Sequence, residues 1–371
     1  MSLLPCPQPP DWNIDWSSLD PLPWLREMQN VPQNPERHAE GDVWTHVHMV
    51  CEAMTALPAW RALPPDERCL LFHAALLHDV AKPACTRIDS DGKITSRGHS
   101  WKGAVRGRQV LWKMGIDFVT REAVCALVRH HLVPFFLIDS ENPHRLAIEV
   151  SQTARCDWLS VLAESDARGR TCADPDKLLT QVEMFRQVCA EAHCSGHPYA
   201  FPSDHTRFIY FRDPGRQPDV LVHEEFRADA VMLSGLPGSG KDHWIRDHAG
   251  EHAVISLDAL RSELGVAPSD PQGTVLQKAR ELARGYLRGG QPFIWNATNL
   301  SRQVRGECLR LFHDYDAKIH IRYFEVPRDR LFAQNRARRK RVPEIVIERM
   351  MDRWEVPDLT EAHRVDYAIE T

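Results

Sequence analysis

Apolar positions change their spacing once along this chain, and that change divides it. From Asp42 to about Arg170 they recur at helical intervals: Val43, Val47, Val50 and Met54, then Leu70, Leu71, Ala74, Ala75 and Leu77, then Val124, Leu127 and Val128. Strand-like alternation is nearly absent there, so the pattern predicts an all-α helical bundle, with a further helix over Asp176 to Ala192. After Arg227, short continuous apolar runs take over at Ala230–Ser234, Ala253–Leu257, Phe293–Trp295, Ile319–Val326 and Val365–Ile369, most of them separated by helical stretches. Runs of this kind read as strands buried on both faces, and their alternation with helices predicts an α/β domain with a mainly parallel sheet. Between the halves, Pro198, Pro202, Asp213-Pro214-Gly215 and Gln217-Pro218-Asp219 break regular structure. The expected division is an irregular Pro- and Trp-rich arm over 1–40, a helical domain over 41–195, a linker over 196–228 with a short strand at Phe208 to Phe211, and an α/β domain over 229–371.

Composition narrows the class. At 371 residues the chain is long enough for two separate cores, and 43% hydrophobic with 26% charged residues fits a soluble globular protein. No apolar run reaches membrane-spanning length and the first ten residues lack a basic-then-apolar leader, so no membrane association is expected and a cytoplasmic location is. The ten cysteines include no Cys-x-x-Cys pair and read as buried thiols rather than a disulfide framework or a zinc knuckle. Trp12, Trp16 and Trp24 in the arm read as packing residues rather than base-stacking ones. A net charge of −5 argues against a general basic coat. Arg328, Arg330, Arg336, Arg338, Arg339, Lys340 and Arg341 nevertheless lie within fourteen positions, so anion binding is expected to be local.

The segment Gly235-Leu236-Pro237-Gly238-Ser239-Gly240-Lys241-Asp242 follows the first apolar run of the α/β half and opens a helix. Glycines there let main-chain N–H groups turn inward onto phosphate oxygens, Lys241 adds a point charge, and the helix N-terminus adds its dipole. Gly235, Pro237, Gly238, Ser239, Gly240, Lys241 and Asp242 are the candidate residues for ATP with Mg²⁺. Asp242 stands where Ser or Thr usually meets the ion, and Asn296 where many phosphoryl-transfer enzymes carry Asp. Asp258, at the carboxyl end of the second run, is the candidate general base, with a helix cap as the plainer alternative. Arg261, one turn on, is placed to grip an acceptor phosphate. Thr298 and Asn299 are candidates for positioning an acceptor, or for a turn. Arg336, Arg338, Arg339 and Arg341 precede Pro343 as a candidate lid, with Arg336 the leading choice to neutralise charge on a transferred phosphoryl group.

Thirteen of the nineteen histidines precede residue 226, and several fall into a ligand-like order: His46, the doublet His78-Asp79, His99, His130-His131 and Asp166. Any one of these is more often a packed or surface residue, as expected for His38, His48, His73 and His144; the order is what carries the signal. Mixed imidazole and carboxylate ligation suits one or two divalent transition metals such as Mn²⁺, Ni²⁺, Co²⁺, Fe²⁺ or Zn²⁺, with Asp79 able to bridge two ions and activate water for attack on phosphorus.

The helical half resembles the HD-domain phosphohydrolases over about residues 40–170, on the His, His-Asp, His, His, Asp order. That resemblance prefers His131 over His130, through the His131-Leu132-Val133-Pro134 context, and implies that Lys82 meets substrate phosphate or faces solvent. The phosphate loop, Ser256-x-Asp258-x-x-Arg261 and the arginine run ahead of Val342-Pro343-Glu344 resemble the P-loop 5′-OH polynucleotide kinases over about 229–371. Together, in this order, they resemble the bacterial HD-Pnk family. That resemblance implies metal-dependent hydrolysis of 2′,3′-cyclic phosphate or 2′/3′-phosphate ends, and ATP-dependent phosphorylation of 5′-OH ends of RNA or DNA. Lys241, Asp258, Arg261 and Arg336 would be its catalytic residues, and an RNA ligase would act downstream. Two other functions compete: a nucleoside or metabolite kinase joined to a nucleotide phosphohydrolase, and an ATP-sensing switch without phosphotransfer.

Overall fold

A computed structural model describes residues 4–338 and 340–370, and the chain forms two compact units, 1–199 and 200–371. Among the described residues no helix is long and apolar enough to cross a membrane. All ten cysteines are free thiols.

The N-terminal unit is helical. Its main elements are α1 (Val43–Ala56), α2 (Pro65–Leu77), α3 (His99–Lys113), α4 (Phe118–His130), α5 (Pro143–Ser151), α6 (Cys156–Arg168) and α7 (Pro175–Glu191). Sequence-local signals start several of them: Asp42, Asp117, Asn142 and Asp174 each accept a hydrogen bond from an N–H in the first turn. Val43, Val47, Val50 and Met54 are buried along α1, which packs against α2 and α6. A two-stranded ribbon, Arg87–Ile88 with Ile94–Thr95, interrupts the helices, a feature absent from the expected all-α pattern because its strands are only two residues long. The arm is irregular apart from one-turn helices. Trp24 is buried, Trp12 meets Trp60 edge-on at 5.5 Å, and Trp16 stacks on His48 at 3.6 Å.

Two glycines let helices approach closely. A Cβ on Gly169, just past α6, would lie 2.5 Å from the Val50 backbone, and one on Gly103 in α3 would lie 3.0 Å from Val128 Cγ1. The first contact draws α1 toward the end of α6, the second draws α3 against α4.

In the C-terminal unit the elements are α8 (Asp204–Tyr210), β1 (Ala228–Ser234), α9 (Lys241–His248), β2 (Ala253–Ser256), α10 (Leu257–Leu264), α11 (Gly273–Arg288), β3 (Phe293–Asn296), α12 (Arg302–His313), β4 (Ala317–Glu325), α13 (Arg328–Ala337), α14 (Glu344–Met351) and β5 (Arg364–Ile369). The five strands form one sheet in the order β2-β3-β1-β4-β5, every neighbouring pair parallel. Each coincides with an apolar run. Side chains alternate between two packed faces: Ala230, Met232, Phe293, Trp295, Ile319 and Ile321 on one, Leu233, Ile294 and Phe324 on the other.

Two expectations need correction here. Phe208 to Phe211 is not a strand. Ser203 caps a helix by accepting from Thr206 N, and the fully buried Phe208 packs into the same core as Ala228 and Leu309. Residues 200–228 are not a free linker either, since Arg207 donates to the carbonyls of Leu359 and His363 and Arg212 to that of Glu361. Gly169→Ala is expected to destabilise the N-terminal unit by about 1–3 kcal/mol, because the added Cβ meets backbone that cannot give way; denaturant unfolding of the variant checks this.

Candidate functional sites

In the N-terminal unit five segments bring His46, His78, Asp79, His99, His131 and Asp166 together, all buried. His78 ends α2, His131 ends α4, His99 begins α3, and His46 and Asp166 lie within α1 and α6. Three of the imidazoles are oriented by one local device. Nδ1 of His78, His99 and His131 donates to the main-chain carbonyl three residues earlier, Ala75 at 2.7 Å, Ser96 at 2.7 Å and Val128 at 2.8 Å. A carbonyl only accepts, so Nδ1 carries the proton and Nε2 keeps a lone pair. His46 Nδ1 lies 2.8 Å from Glu40 Oε1, at ion-pair range though out of line for a regular hydrogen bond.

The four Nε2 atoms then face inward in pairs. His46 and His78 stand 3.3 Å apart, as do His99 and His131. Asp79 lies between the pairs. Its Oδ2 is 3.3 Å from His78 Nε2 and 3.7 Å from His46 Nε2; its Oδ1 is 3.3 Å from His99 Nε2 and 3.9 Å from His131 Nε2. Asp166 Oδ1 adds a further oxygen 3.2 Å from His46 Nε2. Neither Asp79 oxygen makes a hydrogen bond of regular geometry despite these distances. Buried carboxylates normally do. Lone pairs and carboxylate oxygens aimed at shared points make a donor set that fits divalent cations, one bounded by His46, His78, Asp79 and Asp166, the other by Asp79, His99 and His131.

Electrostatics hold the two carboxylates and two of the rings in ligand form, whereas at His78 burial is outweighed by Asp79 and Asp166, which push that ring up. Burial pushes the Asp79 and Asp166 carboxyls up, but Lys82 and His78 around the first, and Arg170 and His46 around the second, hold both well below the usual carboxylate range. Burial, then the neighbouring His78 and His99, pushes His131 down to about 3, so its ring is neutral. Burial lowers His99 as well, against the pull of Asp79. Lys82 neither faces solvent nor stands free for a phosphate: its ammonium is buried, 2.6 Å from Asp79 Oδ2 and 2.7 Å from Gln33 Oε1. His130 turns away to Thr153. The sequence reading missed Glu40, Gln33 and Arg170, the last 2.6 Å from Asp166. No periodicity marks them; a carboxylate six residues before His46 was the one available hint.

The second site lies at the carboxyl end of β1. Gly235, Gly238 and Gly240 all have positive φ, and a Cβ on Gly235 would sit 2.5 Å from Phe324 O, so the loop admits no side chain there. Lys241 is folded back on its own loop, donating to Gly235 O at 2.7 Å and Leu236 O at 3.0 Å. Burial pushes its pKa down to about 8, partly offset by Asp242. The two departures from the usual phosphate-loop pattern touch each other. Asn296 Nδ2 donates to Asp242 Oδ1 at 2.9 Å, and Arg338 Nη2 donates to Asp242 Oδ2 at 3.2 Å.

Other candidates divide. Asp258 lies in the first turn of α10 but does not cap it; Ser256 does, accepting from Ala259 N. Asp258 is 75% exposed and pairs with Arg261, which also donates to Gln272 Oε1 at 2.8 Å. Arg336 is bound to Glu344 at 2.9 Å, so Arg338 rather than Arg336 reaches the phosphate loop. Arg339 lies outside the described residues, and the neighbouring Lys340 donates to Ser262 in α10. Asn299 and Thr298 are turn residues. Asn299 Nδ2 donates to Leu233 O at 2.6 Å, its carbonyl accepts from Ser234 and Arg305, and Thr298 O accepts from Gly235 N, so this turn braces the phosphate loop. A cavity of about 360 Å³ lined by His205, His313 and His363 opens beside Arg227 and Ala317, at the amino ends of β1 and β4 and so across the sheet from the phosphate loop.

Residues 231–357 match the family model of an AAA domain. A curated relative, the A-adding tRNA nucleotidyltransferase of Deinococcus radiodurans, is 34% identical over 236 residues, covering 62% of this chain and 52% of that one. The chain thus spans about half the length of this relative, and the match exceeds either unit, so it draws on both. Solved structures similar to it include a sugar kinase from Janibacter sp. HTCC2649 (16% identity, 38% of this chain and 85% of that one, TM-score 0.31) and a gluconokinase from Sinorhizobium meliloti 1021 (15%, 39% and 84%, TM-score 0.30). The C-terminal unit is a parallel-sheet P-loop domain; the N-terminal unit is helical.

A polyphosphate ligand raises the pKa of an ammonium that burial has lowered. ATP binding at about pH 9 should therefore take up close to one proton through Lys241, which is mostly neutral there before binding, and take up none through this group at about pH 7, where it is already charged. Calorimetry in buffers of different ionisation enthalpy measures the uptake, and Lys241→Met should abolish it.

Proposed function

We propose that the chain is a bifunctional nucleic-acid end-healing enzyme. Its N-terminal unit hydrolyses 2′,3′-cyclic phosphate or terminal 2′/3′-phosphate ends, and its C-terminal unit transfers the γ-phosphoryl group of ATP to a 5′-OH end. The observation that carries this reading is the pairing, in one chain, of a carboxylate shared between two imidazole pairs with a phosphate loop whose buried lysine lies at a strand end. Many ribonucleases leave a 2′,3′-cyclic phosphate on one fragment and a 5′-OH on the next, so the two activities meet on one class of break.

In the N-terminal unit His46, His78, Asp79 and Asp166 would hold one divalent ion and Asp79, His99 and His131 a second. Such ions supply an activated water and neutralise charge on the phosphate. The protein's own part is to aim the ligands: Glu40 on His46, Arg170 on Asp166, and main-chain carbonyls on the other three rings. As the water oxygen bonds to phosphorus, a ring or terminal P–O bond breaks and the sugar oxygen leaves with a proton.

In the C-terminal unit the amides of the Gly235–Lys241 loop and the Lys241 ammonium would grip the β- and γ-phosphates of ATP. Asp258 takes the proton of the 5′-hydroxyl as its oxygen bonds to the γ-phosphorus and ADP departs, Arg261 holds the acceptor strand's phosphate, and Arg338 offsets the spreading negative charge. Mg²⁺ usually meets a hydroxyl after the loop lysine and a strand-end carboxylate. Here Asp242 and Asn296 offer a carboxylate and a carboxamide oxygen, with the carboxylate moved to the loop and the two side chains in mutual contact. An RNA ligase in the cytoplasm is the natural consumer of the paired product ends.

RNA carrying a 5′-OH and a 2′,3′-cyclic phosphate, given with ATP, Mg²⁺ and Mn²⁺ or Ni²⁺, should be converted at both termini, as read by gel mobility and mass spectrometry. Lys241→Ala should lose 5′ phosphorylation and keep 3′-end hydrolysis, and Asp79→Ala the reverse. A mononucleoside phosphorylated as readily as the oligonucleotide would replace this function with a small-molecule kinase, and ATP binding without any acceptor with a sensing switch. Asp242→Ser and Asn296→Asp should each weaken Mg²⁺-dependent ATP binding in calorimetry, by about tenfold or more, whereas the double variant, which restores the usual arrangement, should recover most of it. Additive losses in the double variant would refute the exchange.

A further inference from the structure

Three of the ten cysteines, from two segments, meet in the interior of the N-terminal unit. Cys156 opens α6, Cys189 lies near the end of α7, and Cys194 follows that helix. Their sulfur atoms all lie within 4.8 Å of one another, and none of the three is more than 1% exposed. None belongs to the histidine and aspartate constellation.

Main-chain hydrogen bonds build this arrangement. Cys194 N donates to Cys189 O at 2.9 Å and His193 N to Ala190 O at 3.0 Å, so α7 ends in a turn that folds Cys194 back over Cys189. His193 holds the left-handed position of that turn at φ 50°, a place usually given to Gly. Asp157 N donates to Ser195 O at 2.8 Å, tying the same turn to the first turn of α6 beside Cys156. Beside them, Ser151 Oγ donates to Ile148 O at 2.7 Å. Tyr199 N in turn donates to Ser151 Oγ at 3.0 Å. His197, in the bend after Cys194, is exposed and places Nδ1 3.1 Å from Pro198 O.

A solitary buried cysteine behaves as a small apolar side chain. Three buried sulfurs from two segments, all within 4.8 Å of one another, are a different arrangement. Tetrahedral zinc with Zn–S bonds of about 2.3 Å sets sulfurs about 3.8 Å apart, inside the observed limit. We propose that Cys156, Cys189 and Cys194 form a thiolate site for a soft, closed-shell divalent ion of the zinc class, with His197 turning in as the fourth ligand. Binding is proton exchange alone: each thiol releases its proton as a sulfur–metal bond forms, and the ion stays divalent. The site staples the start of α6 to the end of α7, and it stands apart from the phosphoester chemistry proposed above.

Cobalt distinguishes the two kinds of site, because only sulfur ligation gives an intense near-ultraviolet charge-transfer band. The full-length chain, reduced and freed of metal by chelation, is titrated with Co²⁺. The expected result is that band, saturating at about one cobalt per chain, bleached by Zn²⁺, retained in Asp79→Ala and lost in Cys194→Ser. Zinc should raise the melting temperature of Asp79→Ala but not that of the double variant Asp79→Ala/Cys194→Ser; if the latter does not fold, Cys189→Ala takes the place of Cys194→Ser. Absence of the band from the reduced, folded wild-type chain overturns the proposal, as does a band undiminished in the cysteine variants. Loss of both end-healing activities with the band intact would refute the proposed function and leave this site standing.

Discussion

A carboxylate that is almost wholly buried must be answered by cations or donors, and around Asp79 that requirement fixes the interior of the N-terminal unit. Lys82 lies against one of its oxygens, and two pairs of imidazoles close on both. Each ring in turn is held from behind. Three of them use the main-chain carbonyl three residues back, which at the ends of α2 and α4 is among the carbonyls that a terminating helix leaves unpaired. The helix ends therefore set the directions of the inward nitrogens, and the close packing permitted by Gly103 and Gly169 sets their spacing.

In the C-terminal unit the governing constraint is space around the phosphate loop. Gly235 passes so near Phe324 O that any side chain would collide, and the turn at Thr298 and Asn299 pins the same point from the other neighbouring strand. The loop is thus clamped between β3 and β4 before any ligand is considered. Asp242 and Asn296 are coupled across that clamp, which gives physical sense to two substitutions that look unrelated when read one at a time along the chain.

Much of this was legible in the sequence because short-range physics decides it. The interior strand β3 is a continuous apolar run because it is buried on both faces, whereas β4 and β5 were legible from apolar positions that alternate with polar ones. The phosphate loop and the histidine–aspartate series were legible because residue type and order are themselves the signal. What was not legible depends on distant partners. Phe208-Ile209-Tyr210-Phe211 fits either a strand or a helix locally, and its Ser203 cap and the core around Phe208 decide for the helix. Sequence favoured Arg336 within the arginine run, but α13 ends at Ala337 and, among the described residues, it is Arg338 that reaches Asp242. Glu40 beside His46 and Cys156 beside Cys189 and Cys194 carry no spacing rule, because only the packed fold makes them neighbours.

The Lys241 ammonium rests on two carbonyls of its own loop. A ligand that draws it away must replace both contacts at once, and a single weakly held oxygen does not. The loop thereby ties release of the ammonium to a ligand that presents several oxygens together, as the linked phosphates proposed above would.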